Sequence, residues 1–82
     1  MGSTINKATS NADFAARVGC HFTMASRIRG GGRLPSAAML NKIKNAFDLS
    51  DHKLAEMMLA HSAGKAAFGQ WIRDNLFIPD AA

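Results

Sequence analysis

Residues 11–29 read NADFAARVGCHFTMASRIR, and this stretch decides the fold. Ser10 ahead of it is a good helix N-cap. Asp13 falls in the first turn, where the helix dipole favours an anion, and Gly19 can take the positive φ that ends a helix without steric cost. A helix is therefore predicted over residues 11–18, with Phe14, Ala15 and Val18 on its apolar face. A second is predicted over 22–29, where Ala25 and Ile28 stand three apart on one face, before Gly30-Gly31-Gly32 halts it. Two helices of about eight residues joined through Gly19-Cys20-His21 must cross steeply. Ala15, four residues before Gly19, is small enough to let the second helix pack close. Such a pair has the geometry of a helix-turn-helix, which projects its second helix outward toward a duplex major groove.

Working outward, Leu34 precedes Pro35 and is pushed out of helical geometry, so the next helix should start at Ser36. Leu40, Ile43 and Phe47 recur at helical spacing to 47, with Lys42 and Lys44 on flanking faces. Ser50 caps a further helix to about 60, with Leu54, Met57 and Met58 inward. Ser62 caps a last one over about 62–76, with Phe68, Trp71, Ile72 and Leu76 as its stripe. Fifteen alanines and five methionines beside sparse β-branched residues favour helices over strands. The expectation is an all-α compact bundle of about five helices, a single domain over 1–82.

Charge is distributed unevenly. Residues 14–47 hold Arg17, Arg27, Arg29, Arg33, Lys42 and Lys44 and no acidic residue, whereas from 48 onward five acidic residues outnumber three basic ones. A basic segment on an acidic remainder suggests a polyanion footprint, nucleic acid before anionic membrane. A membrane-active cationic helix fits poorly, because the basic cluster lies outside the strongest apolar stripe. No apolar run approaches the ~20 residues of a bilayer span, and no secretory signal is read, which gives a cytoplasmic expectation.

One cysteine, Cys20, allows no internal disulfide and reads as a small turn or core residue. His21, His52 and His61 lack metal-ligand spacing. The glycine run has neither a preceding strand nor a following Lys-Ser/Thr pair, so a nucleotide loop is not expected. Six scattered carboxylates without a Ser/His/Asp arrangement give catalysis nothing to rest on, and neither enzyme activity nor a cofactor is expected.

Over residues 10–54 the chain resembles the lambda-repressor/Cro family of helix-turn-helix regulators. The likeness is carried by Phe14-Ala15 and Gly19, by Ser26-Arg27-Ile28 late in the second helix, by Gly31, and by Arg33, Pro35-Ser36, Leu40, Lys42, Ile43, Ala46 and Ser50 in one register. The resemblance implies a sequence-specific binder of double-stranded operator DNA, a phage-like or bacterial repressor working inside the host cell. It implies that Phe22, Thr23, Ser26 and Arg27 face base edges and that Arg17, Arg29 and Arg33 hold phosphates.

The residues themselves agree for most of these. Arg27 can fork onto guanine O6 and N7, Thr23 and Ser26 can donate or accept, and Phe22 can touch a thymine methyl or else pack. Lys42 and Lys44 suit either phosphate contacts or a solvated helix face. The family's helix before the motif has only nine residues available here, so it is short, absent, or replaced by the C-terminal helix as a lid on the core. The Trp71 stripe leaves core and homodimer interface both open. An alternative is an antitoxin-like interaction module whose C-terminal helix grips a protein partner.

Overall fold

The computed structural model describes residues 5–80, and within them the chain is all-helical. Ser10 begins α1 (Asn11–Val18): its hydroxyl accepts the Asp13 N–H at 3.0 Å, and Gly19 ends the helix at φ 82°. Three residues later α2 (Phe22–Arg29) starts, as the spacing predicts. Ser36 caps α3 (Ala37–Ala46) and Ser50 caps α4 (Asp51–Ala63), each hydroxyl accepting an amide three residues on. No described helix is long and apolar enough to cross a membrane.

The last boundary differs from the expectation. Ser62 caps nothing; α4 runs through it to Ala63. The chain turns at Gly64, at φ 120°, and α5 (Lys65–Leu76) begins without a side-chain cap. Met58 also departs from its expected inward place. Only Met57 of α4 is fully buried, and Met58 is 46% exposed.

The core joins Phe14, Ala15 and Val18 of α1, Ala25 and Ile28 of α2, Leu40 and Ile43 of α3, and Met57 of α4 to Phe68, Ile72 and Leu76 of α5. Among the described residues no helix precedes α1. Helix α5 packs on α2 and α4. Beyond α5, Phe77 stacks on Phe14 with ring centres 5.3 Å apart. Ala8 and Phe77 form a parallel bridge, with the Ala8 N–H donating to Leu76 O at 2.7 Å and the Ile78 N–H to Ala8 O at 3.0 Å.

The apolar stripe of α5 is thus largely spent on the core. Trp71, half-buried, donates its indole N–H to Glu56 Oε1 at 3.2 Å. Lys53 reaches the same carboxylate at 3.1 Å and Asn75 Oδ1 at 2.8 Å, which fastens α4 to α5. The Trp71 and Lys53 hydrogen bonds hold the Glu56 carboxyl below the usual carboxylate range.

What lets α5 sit so close is a pair of glycines. A β-carbon at Gly69 would lie 2.7 Å from Gly31 N and 2.8 Å from its Cα, both backbone atoms that cannot swing aside. Gly31 itself adopts φ 78°. In an ordinary helix interior, glycine to alanine stabilises by roughly 0.5–1 kcal/mol. Here the sign should reverse: Gly69→Ala is expected to cost about 1–3 kcal/mol, as overpacked cores do, read as a lower urea midpoint.

Candidate nucleic-acid interface

The position of α2 follows from its two faces. Ala25 and Ile28 are fully buried against the core, while Phe22, Thr23, Ser26 and Arg27 are all exposed on the opposite side of the helix. The spacing i, i+1, i+4, i+5 puts those four on one surface. Phe22 is 53% exposed and lies outside the core cluster, so packing does not account for it. Arg27 has no hydrogen-bond or ion-pair partner among the described residues, which leaves its guanidinium fork available to a ligand.

The helix is started by His21, which the sequence places in the turn but does not mark as a cap. His21 Nδ1 accepts the Thr23 N–H at 3.1 Å, the task a serine or asparagine usually performs. The acceptor role requires an unprotonated Nδ1, and the position immediately before the first helical residue was the available signal. The other histidines also serve local contacts: His52 pairs with Glu56 at 2.9 Å, and His61 Nε2 lies 2.9 Å from Pro35 O.

The basic residues divide into two groups. Arg17 is committed within the protein. It grips the Asp13 carboxylate with Nε at 3.0 Å and a terminal nitrogen at 2.9 Å, donates to the carbonyls of Asn6 and Lys7, and lies over the Phe47 ring. Arg29 is half-buried, donates to Asn11 Oδ1 at 3.0 Å and stacks over Phe77 with its guanidinium carbon 4.3 Å from the ring centre. These two arginines hold the segments flanking the bundle in place.

Arg33, in the connector after α2, and Lys42, on α3, are exposed instead. Lys42 lies close enough to the α1–α2 turn for its charge to act on Cys20. Burial pushes that thiol up, and the lysine partly opposes the shift. Lys44, two residues further along the helix, stands on the other flank of α3 and lines a groove against Leu54 and Met58 of α4. Phe22, Thr23, Ser26, Arg27, Arg33 and Lys42 are therefore all exposed, whereas Lys44 lines the α3–α4 groove and Arg17 and Arg29 are engaged internally.

Comparison with protein-family models, with curated proteins and with solved structures gave no match.

The Asp13–Arg17 pair within α1 gives the fold a pH dependence. The Thr9 amide, donating at 2.9 Å, and then Arg17 hold the Asp13 carboxyl below its ordinary range. A carboxyl with a depressed folded-state pKa contributes stability that is complete above its unfolded value and is lost as pH falls through the folded one. Asp13→Asn should therefore lower the melting temperature at neutral pH and bring the variant's curve toward the parent's in acid. A constant difference between the two curves from neutral to acid would show that the ionised carboxylate contributes nothing.

Proposed function

We propose that this chain is a sequence-specific double-stranded DNA-binding regulator of the lambda-repressor/Cro kind, with α2 as the helix that enters the major groove. The observation that carries the reading is the outward face of α2. Four exposed side chains of complementary chemistry stand on a short helix whose other face is anchored by Ala25 and Ile28. Arg27 suits the paired acceptors of guanine. Thr23 and Ser26 suit either donors or acceptors, and Phe22 suits a thymine methyl. Arg33 and Lys42, both exposed, suit phosphates, which set position and affinity and carry no sequence information themselves.

The operator-occluding mechanism needs nothing further from the protein than this surface and its rigid support. The competing reading, an antitoxin-like module, requires an apolar C-terminal helix face for a protein partner. Phe68, Ile72 and Leu76 of that helix are fully buried in the core, which favours the DNA reading.

Selection of binding sites from random duplexes is the primary experiment; failure to enrich any sequence would refute base reading. On the selected site about three cations (Arg27, Arg33 and Lys42) remain for the duplex. Log K against log salt should then fall with a slope of roughly −2 to −3. Arg27→Ala is expected to lose about 1–3 kcal/mol on the selected site and to relax the choice of base at one position. Arg33→Ala should weaken selected and random duplexes by similar factors and reduce the slope by about one. An Arg27→Ala base-preference profile superimposable on the parent's would remove Arg27 from base reading.

A further inference from the structure

Helices α1, α3 and α4 begin on Ser10, Ser36 and Ser50, whose hydroxyls accept an amide three residues on and do not titrate in neutral or mildly acid solution. Helix α2 begins on His21 instead, and its acceptor is the imidazole Nδ1, 3.1 Å from the Thr23 nitrogen. An imidazole acceptor is lost by proton uptake in the range of about pH 8 to 5. The titratable cap therefore stands on the helix whose outward face carries the DNA-binding proposal.

Little else holds the first turn of α2. His21, Phe22 and Thr23 are three exposed residues in succession, and the first fully buried residue of the helix is Ala25. Cys20 on one side and Met24 on the other are only partly buried against the core. The turn is closed by two hydrogen bonds, the Thr23 N–H to the imidazole and the Ala25 N–H to His21 O at 3.1 Å. The side-chain bond is thus a large part of what orients Phe22 and Thr23.

The surroundings oppose a positive ring. Helix α2 has no acidic residue in its first turn, and an imidazolium there would stand at the positive end of the helix dipole. Beside it Cys20 is the other titratable group of the turn. Helix α1 brings Arg17, paired with Asp13, and α3 brings Lys42, whose charge acts on Cys20. Helix α2 itself carries Arg27 and Arg29 in its last turn. Helix α5 meets α2 toward that end, with Lys65 beside Gly31, Arg73 donating to Arg29 O, and Asp74 accepting from Gln70. No carboxylate stands in the sequence between Asp13 and Asp48. Protonation of His21 removes the cap and adds a cation to a basic segment.

We propose that His21 is the positioning residue of the α2 face: its neutral imidazole holds the first turn in place for base contact, and proton uptake at Nδ1 releases that turn, so sequence-specific binding weakens as pH falls. The inference rests on the DNA-binding proposal. Because the neutral ring is the competent form, affinity is complete on the alkaline side of the imidazole titration and is lost on the acid side, with a proton released on binding.

The parent, His21→Ser and His21→Ala are to be compared on the selected duplex and on a random duplex from about pH 8 to about pH 5.5. His52 and His61 titrate in all three proteins, so affinity ratios isolate position 21. His21→Ser keeps a cap that does not titrate. It should match the parent within about twofold at the alkaline end and bind the selected duplex about fivefold tighter at the acid end, the worth of one N-cap. His21→Ala should be weaker than His21→Ser by about that factor at both ends. The random duplex, held through phosphates, should give ratios near one.

Parallel pH profiles for the parent and His21→Ser would overturn the proposal. Equal losses on selected and random duplexes would do the same, since they mark a purely structural cap, as would a parent that gains on His21→Ser in acid, which marks an imidazolium on a phosphate. Without DNA, the ring nitrogen shifts of His21 should report the Nε2–H tautomer at the alkaline end, and protection of the Thr23 amide from solvent exchange should fall in acid in the parent but not in His21→Ser. An Nδ1–H tautomer, or a Thr23 amide equally protected across the range, would refute the cap itself. These two measurements stand apart from duplex binding: a protein that binds no duplex at any pH would refute the DNA-binding proposal and its coupling to His21, while the tautomer and the Thr23 amide decide the cap.

Discussion

The turn at Gly31 meets the middle of α5 backbone to backbone, with no side chain between them, and the architecture depends on that approach. Because the two segments touch at Gly69, α5 can lie flat on α2 and deliver Phe68, Ile72 and Leu76 into the core. A bundle of this size buries little surface, so three large side chains from one helix are a substantial share of what holds it together. With α5 on one side of α2, the opposite side has no protein to meet. The exposed face of α2 is thus a consequence of how the core is closed.

The arginines show how the same chemistry serves two purposes in one small protein. Arg17 and Arg29 use their donors on Asp13, Asn11 and backbone carbonyls, and their flat faces on Phe47 and Phe77. They behave as bolts across the ends of helices. Arg27 and Arg33 lie on exposed surface, with no hydrogen-bond or ion-pair partner among the described residues. Charge counted along the sequence overstates the positive surface offered to a polyanion, because two of its six cations are directed at the protein itself.

Local signals were the legible part. Ser10, Ser36 and Ser50 cap helices through contacts that span three residues, and Gly19 stops one through its own dihedral, so neighbouring sequence was sufficient to locate α1 through α3 and the start of α4. The exposed and buried faces of α2 followed from spacing alone. The boundary between α4 and α5 did not. Ser62 looks as good a cap as Ser50, but the chain turns at Gly64 because α5 must approach a glycine turn more than thirty residues earlier. The commitment of Arg17 was half legible, since Asp13 stands four residues before it at ion-pair spacing; the carbonyls of Asn6 and Lys7 completing the cage were not. Met58 was misread as core because inward and outward apolar positions share the helix, and only the fold tells them apart.

The bridge between Ala8 and Phe77 has a consequence for the order in which the molecule assembles. It closes a loop containing nearly the whole described chain with two backbone hydrogen bonds. Closure entropy rises with loop length, and nothing local helps to bring these ends together. The two sides of the bridge are held together by the packing of α5 on α2 and of Phe77 on Phe14. The Ala8 and Ile78 amides therefore depend on the whole fold, while the caps and turns of α1 and α2 depend only on neighbours a few residues away. Their protection from solvent exchange is a direct record of whether the whole is intact.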